Sequence, residues 1–251
     1  MESGETISHN PPRFYRQPAA VGKPDELPDA RTFAAPITPP ASRATLHGTL
    51  SHKDLVSLYH SIEAALPDLS SRIVLLSSCN SGEGVTTIAT GLASLATNVL
   101  EHRTLLVSMN SEAHHKPAAS LADVAGGKAA IGNAIVAPGA SGMPFDSACL
   151  TFSDTVGDLL AYQSELKQLL STLRSQYRFI LFHFSGILND PAGVALSRLT
   201  DGVVLVIEAE RTRAPAAKQA IRYIMEKGGN IIGITFNKRR FYIPRWLYRW
   251  L

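Results

Sequence analysis

The feature that most constrains the fold is an alternation of short apolar runs with longer amphipathic runs, from about residue 50 to residue 237. The short runs are continuous and rich in Val, Ile and Leu, as in strands buried on both faces of a parallel sheet. The longer runs carry apolar residues at helical spacing. This alternation predicts an α/β fold, a doubly wound, mostly parallel sheet with helices on both faces. The predicted strands are 72–78, 104–109, 178–184, 202–208 and 230–236, and the predicted helices are 51–66, 85–100, 120–124, 156–176 and 214–227.

Residues 111–155 interrupt the alternation because they are rich in glycine and lack a clear apolar period. Glycine clusters between periodic segments are typical of loops. Apart from the short helix at 120–124, we therefore expect this stretch to form surface loops.

Composition divides the chain into three predicted parts. Residues 1–45 are predicted to be a disordered tail, because eight of the fifteen prolines lie there and prolines prevent helices and sheet ladders. Residues 46–237 form the predicted α/β domain. Residues 238–251 are a predicted basic, aromatic tail, with five basic residues and no acidic one.

The overall composition excludes several classes of protein. A net charge of +3 is too small to indicate a nucleic-acid partner, and none is predicted. The two cysteines are too few for a disulfide framework, and the polar amino-terminal residues do not resemble a signal peptide. No apolar run is long enough to cross a bilayer. These features predict a cytoplasmic location.

A glycine-rich loop, CNSGEGVTT at residues 79–87, lies between the first predicted strand and a helix. Such a loop binds phosphate through its backbone N–H groups and the helix N-terminus. A complete nucleotide loop also has a lysine for the β- and γ-phosphates and a hydroxyl for Mg²⁺. Thr86 and Thr87 supply hydroxyls, but Val85 stands at the lysine position. The simpler interpretation is a tight turn that binds no nucleotide.

Five segments in the same order resemble the cytosolic P-loop domains of bacterial tyrosine kinases, the partners of membrane polysaccharide co-polymerases. Those domains read PGEGKST, followed by a helix that ends in NLA, where this chain reads SGEGVTT followed by a helix with GLA at 91–93. Segments 120–135, 201–213 and 228–251 are similar to their later motifs. The resemblance implies a P-loop NTPase-like fold of the MinD/ParA type, with ATP and Mg²⁺ as ligands. It also implies a role in exopolysaccharide biosynthesis and export. The implied nucleotide-binding remnant is Ser81, Gly82, Glu83, Gly84, Val85, Thr86, Thr87 and Asn237.

The chain departs from the family where the family carries charges. A loop lysine, two acids after the second strand and an acid at the end of a later strand are replaced by Val85, Ser108, Asn110 and His183. Phosphoryl transfer depends on such charges, each of which contributes several kcal/mol. We therefore predict a degenerate site with no catalytic residue and no certain cofactor. ATP is expected to bind weakly at best, and Mg²⁺, if it binds, to contact Thr86.

Other interpretations of these residues remain open from the sequence. Lys116 or Arg103 is an alternative source of the missing positive charge. His183 is interpreted as a buried histidine at a strand end, rather than as a metal ligand with His114 and His115. A hydrolytic pair of Ser108 and His183 is disfavoured, because the chain has no G-x-S-x-G elbow.

The family's oligomerisation helix carries E-x-x-R-x-x-R, and the matching positions here are Ser57, His60 and Glu63. This difference puts the family's ring-shaped oligomer in doubt. The carboxyl-terminal segment has two tyrosines, Tyr242 and Tyr248, where the family often has a cluster for autophosphorylation.

Aromatic and basic residues alternate in the carboxyl-terminal tail. This pattern is typical of segments that bind an anionic membrane surface or the juxtamembrane part of a partner, and packing against the domain is the alternative. Binding to lipid would place the protein at the inner face of the cytoplasmic membrane. The tail residues concerned are Arg239, Arg240, Arg245, Trp246, Arg249 and Trp250.

Three functions follow from this pattern. The preferred hypothesis is a catalytically impaired, kinase-like P-loop protein that docks on a membrane polysaccharide co-polymerase or synthase and regulates exopolysaccharide production. The alternatives are a divergent, ATP-binding, autophosphorylating tyrosine kinase of the same pathway, and a positioning ATPase of the MinD/ParA type.

Overall fold

The computed structural model describes residues 50–109, 117–151 and 161–239. The predicted tail at 1–45 lies outside these residues, and so does the carboxyl-terminal tail beyond Arg239. Asn110, the candidate cation Lys116 and the candidate ligands His114 and His115 also lie outside them.

The described residues form one seven-stranded sheet with the strand order β3-β4-β2-β5-β1-β6-β7. All neighbouring strands are parallel except β3 and β4, which pair antiparallel at one edge. The strands are β1 Arg72–Ser78, β2 Thr104–Ser108, β3 Ile135–Val136, β4 Asp146–Cys149, β5 Phe179–Phe184, β6 Gly202–Glu208 and β7 Ile231–Asn237.

Helices cover both faces of the sheet, as the strand sequences predict. One apolar cluster joins α1 and α2 to residues such as Leu76 and Leu181 on one face. A second cluster joins the other helices to residues such as Leu75 and Phe182 on the opposite face. The helices are α1 His52–Ala65, α2 Val85–Asn98, α3 Leu121–Ala125, α4 Gln163–Arg174, α5 Pro191–Ser197 and α6 Ala214–Glu226, with a 3₁₀ turn at Ile131–Asn133.

Helix starts are set by local capping residues. Ser51 and Asp54 form a capping box at the start of α1, and Ser120 and Asp123 form another at the start of α3. In each box a hydroxyl accepts from a backbone N–H near the helix start, and the acid accepts from the backbone N–H of the serine. Both helices therefore begin within a residue of the sequence prediction.

The expectation of loops over 111–155 is wrong at β3 and β4. The residues of β4 include no β-branched or aromatic side chain, so local propensity does not mark it as a strand. It forms because Leu105 to Ser108 of β2 pair with Asp146 to Cys149. Phe145 and Leu150, which flank β4, are buried in opposite clusters. Tertiary pairing therefore decides this strand.

Candidate functional site

The glycine-rich loop lies at the carboxyl edge of the parallel strands, directly after β1. From β1 the chain passes β5 to form β2, toward one edge of the sheet. From β5 it passes β1 to form β6, toward the opposite edge. In open α/β sheets, a crevice for ligands lies where the crossovers diverge in this way. Sequence and topology thus place the loop, residues 79–87, at the ordinary ligand-binding position of the fold.

Two glycines allow the loop to turn into α2. Gly82 and Gly84 have φ values of +85° and +93°, in the left-handed region that side chains disfavour. A Cβ atom on Gly84 would also collide with the side-chain amide of Asn237. Gly84 offers no side chain to cap α2. The first N–H groups of the helix therefore remain available to an anion.

The acid of the loop, Glu83, is turned into the protein and is 3% exposed. Its Oε2 accepts from the backbone N–H of Cys79 at 3.0 Å, and its Oε1 accepts from Asn80 Nδ2 at 3.1 Å and from Thr212 Oγ1 at 2.6 Å. Glu83 therefore braces the loop against the turn between β6 and α6. Its carboxylate is aimed at these donors instead of at a ligand.

The end of β7 forms the second support of the loop. Asn237 Nδ2 donates to the carbonyl oxygen of Glu83 at 2.9 Å. Lys238 Nζ donates to the carbonyl oxygen of Gly82 at 2.7 Å and to Glu208 Oε2 at 3.0 Å. The sequence did not indicate Lys238 as a site residue, because it lies 156 positions from Gly82 along the chain. The sequence signal that could have identified Lys238 is its position immediately after Asn237, a predicted site residue.

Val85 lies in the apolar core instead of in the ligand crevice. Its side chain is 1% exposed and belongs to the cluster that joins α1 and α2 to the sheet. Of the other predicted loop residues, Ser81, Thr86 and Thr87 are exposed. The loop therefore offers backbone N–H groups and hydroxyls at its surface, and an apolar side chain beneath it.

Ser108 and His183 lie side by side at the ends of β2 and β5, where they are paired in register. Both are buried, and His183 is 5% exposed. Burial lowers the pKa of His183 to about 4, so the ring is neutral near pH 7. Its Nδ1 has no hydrogen-bond partner in the described part of the chain. A buried, neutral imidazole therefore lies beside Ser108 at the carboxyl end of β5.

The loop cysteine, Cys79, is a packed thiol. It is fully buried, and burial together with the nearby carboxylate of Glu83 raises its pKa to about 12. Within residues 50–109, 117–151 and 161–239, no group of three or more His, Cys, Asp and Glu side chains has the arrangement of a metal site. The described residues thus place no second and third ligand beside His183.

Arg103 cannot supply a positive charge to the glycine-rich loop. It precedes β2 and lies at the amino edge of the sheet, whereas the loop follows the carboxyl end of β1. Its guanidinium lies 4.8 Å from the ring centroid of Tyr177 and 3.5 Å from Asp146 Oδ2. Since β1 has seven residues, roughly 20 Å of parallel strand separates the two edges. The alternative that Arg103 swings into the site is wrong.

Glu63 of α1, at the third of the family's oligomerisation positions, is engaged within the chain. Its Oε1 accepts from Tyr59 Oη at 3.2 Å and lies 3.7 Å from Arg72. Tyr59 also contacts His102 Nδ1 at 2.7 Å, and burial together with Glu63 raises the pKa of Tyr59. These contacts attach α1 to its own domain.

No helix in the described part of the chain is both long enough and apolar enough to span a membrane. No protein-family model matches the chain. A comparison with curated protein sequences likewise finds no match.

Solved structures, in contrast, are similar to the chain over most of its length. The kinase domain of the Escherichia coli tyrosine kinase ETK superposes with a TM-score of 0.68 and 16% identity, covering 77% of each chain. The VpsO kinase domain has a TM-score of 0.62 and 22% identity, over 74% of this chain and 94% of that one.

A plasmid partition protein from Borrelia burgdorferi is also similar, with a TM-score of 0.54 and 16% identity over 71% of this chain and 85% of that one. The resemblance noted in the sequence is thus confirmed at the level of the fold. The chain has the α/β P-loop fold of bacterial tyrosine kinase domains, which the plasmid partition protein shares.

Proposed function

We propose that the protein is a catalytically impaired, kinase-like P-loop protein that acts through binding, as a regulatory component of bacterial exopolysaccharide biosynthesis and export. Its partner would be a membrane polysaccharide co-polymerase or synthase. The observation that carries this proposal is a kinase-like loop and sheet edge where the positions expected to be charged hold uncharged, buried side chains. Val85 lies in the core, and His183 is neutral beside Ser108.

The residues fit a phosphate group better than they fit a complete Mg·ATP site. Gly84 places no side-chain cap on the first N–H groups of α2, and the Oδ1 of Asn237 is buried with no partner among the described residues. These features suit a nucleotide held by backbone N–H groups. Thr86 supplies a hydroxyl for Mg²⁺, but Ser108 and His183 supply no negative charge to hold the ion. When bound, Mg²⁺ would neutralise charge on the phosphates.

We expect Val85→Lys to leave ATP turnover at the background level of the unchanged protein. The substitution restores one charge, but the positions of Ser108 and His183 still lack carboxylates for the metal. The measurement is phosphate release from Mg·ATP, together with detection of phosphotyrosine on the protein.

The control for this measurement is Thr86→Ala in the otherwise unchanged protein. Turnover that Thr86→Ala abolishes would contradict the proposed impairment. A gain of about tenfold or more from Val85→Lys alone, equivalent to about 1.4 kcal/mol of transition-state stabilisation, would show that the missing acids matter little.

The carboxyl-terminal tail supports a second part of the proposal, attachment to a membrane or to a membrane-bound partner. Liposomes of phosphatidylglycerol and phosphatidylcholine should carry residues 1–251 upward in a density gradient. Residues 1–239 should remain below, because they lack three arginines and both tryptophans. Ending the shorter chain at Arg239 keeps Lys238 on the loop. Equal flotation of the two chains would exclude a lipid-binding role for the tail.

A divergent autophosphorylating kinase is the second candidate function. The observation that favours it is the ammonium group of Lys238 beside the loop, since a cation near the phosphates is one requirement of phosphoryl transfer. The turnover measurement above separates this candidate from the first. A positioning ATPase of the MinD/ParA type would likewise turn over ATP.

A further inference from the structure

The loop lacks its lysine, and yet a lysine side chain lies against it. Lys238 Nζ is 2.7 Å from the carbonyl oxygen of Gly82, and its Cε is 4.0 Å from the place where a Cβ on Gly84 would stand. The side-chain stem therefore runs along the loop toward the start of α2. The side chain is 42% exposed, so its ammonium group still faces solvent.

The backbone of Lys238 is held in an unusual conformation that directs the side chain to the loop. Its φ value is +55°, in the left-handed region, although lysine has a Cβ. Such a conformation is retained only where the surroundings impose it, and it is common at ligand-binding sites. Here the preceding residue, Asn237, is fixed by its hydrogen bond to Glu83.

The two present partners of Lys238, Glu208 and the carbonyl oxygen of Gly82, do not hold it strongly. Glu208 Oε2 also accepts from Arg211 at 3.2 Å, so this carboxylate keeps a cation if Lys238 turns away. A carbonyl oxygen is a weaker partner for an ammonium group than an anionic phosphate is. Rotation about the side-chain torsions is therefore enough to exchange the carbonyl for a phosphate at the loop.

An independent observation indicates that the loop takes a ligand. The side chain of Asn237 is 3% exposed, and its Oδ1 has no hydrogen-bond partner among the described residues. Buried acceptors are nearly always paired, because an unpaired one loses its hydration without compensation. The side-chain amide that carries this oxygen lies beside Gly84, at the start of α2, with its nitrogen as the atom nearest to the glycine. The unpaired oxygen fits a ligand that carries a hydrogen-bond donor as well as phosphates.

We infer that Lys238 supplies the positive charge that Val85 does not, and that it binds the phosphate chain of a nucleoside polyphosphate at the loop. The inference rests on the proposed function only in taking the loop to retain a phosphate-binding geometry. It concerns binding, so it holds whether or not ATP is turned over.

The experiment is calorimetric titration of residues 1–251 with inorganic tripolyphosphate and, separately, with ATP. Lys238→Ala should weaken the binding of both by about tenfold or more, the usual value of a charge-assisted hydrogen bond. Lys238→Arg should keep most of the affinity. Lys227→Ala is the matched control, because this exposed lysine follows α6 near the amino edge of the sheet.

Folding is checked with Lys238→Gly, since glycine adopts the left-handed conformation without strain. This variant should bind as weakly as Lys238→Ala without a lower melting temperature. Wild-type affinity in Lys238→Ala, or an equal loss in Lys227→Ala, would overturn the inference. So would a wild-type protein that binds neither tripolyphosphate nor ATP. None of these results bears on impaired turnover, which the phosphate-release measurement decides.

Discussion

Glu83→Ala should lower the free energy of unfolding by about 3 kcal/mol, measured by urea denaturation at pH 7. The lost carboxylate leaves two donors without an acceptor, the buried N–H of Cys79 and the partly buried hydroxyl of Thr212. Each such group costs about 1–3 kcal/mol. Asn80 is exposed and can regain water, so it adds little. The substitution should also loosen the loop and weaken any phosphate binding.

The matched control is Glu226→Ala, which removes an exposed acid from the last residue of α6. Surface substitutions of this kind usually change stability by less than about 0.5 kcal/mol. Thr212→Val removes one arm of the Glu83 network and should cost about 1 kcal/mol. If Glu83→Ala were no more destabilising than Glu226→Ala, the carboxylate would not brace the loop.

The stability of the protein should fall as the pH is lowered from about 6.5 to about 4, because His183 resists protonation in the folded state. Its pKa is 6.5 in an unfolded chain and about 4 in the fold, where burial disfavours the charged form. Within this window the unfolded state binds more protons, so protons favour unfolding. The contribution is fully present above pH 6.5, and its total loss is about 3 kcal/mol.

His183→Gln isolates this effect, because glutamine is polar and does not titrate. Unfolding free energies measured at pH 7.5 and pH 5 should fall by about 2 kcal/mol more in the wild type than in His183→Gln. His52→Gln is the matched control, because it makes the same replacement at an exposed histidine. An identical pH dependence in wild type and His183→Gln would contradict the account of a buried, neutral ring.

That neutrality has a consequence for function. A kinase of this fold needs negative charge at this edge of the sheet to hold Mg²⁺, and it needs positive charge on the loop. Here Ser108 and His183 supply no charge, and Val85 packs beneath the loop. These uncharged side chains support the proposed role of the domain in binding.

Some of the fold and of the site was readable from local sequence. The parallel strands in the middle of the sheet are continuous apolar runs, because they are buried on both faces. Helices α1 and α3 begin at serine caps, because capping depends only on residues within one turn of the helix start. The loop also followed from sequence, since a glycine-rich turn between a strand and a helix needs no distant partner to be recognised. The uncharged residue at the start of its helix, Val85, is visible directly in the sequence.

Other features depended on contacts between distant segments. The strand β4 has weak local propensity and forms by pairing with β2. From the sequence, Arg103 was a candidate cation for the loop. The direction of β2 places it at the opposite edge of the sheet. The spacing of Ser108 and His183 in the sequence likewise says nothing of their pairing in register, which the adjacency of β2 and β5 produces.

The sequence by itself determined the class of fold, the position of the loop after the first strand, and the absence of a charged side chain at Val85. Only the tertiary structure decided how the loop is held: Glu83 is turned inward onto Thr212, and Lys238 is laid across Gly82. The physical reason is the distance along the chain over which each interaction acts. Apolar period and glycine conformation act between near neighbours, whereas a hydrogen bond across more than a hundred residues exists only after the sheet has brought the ends of β1, β6 and β7 together.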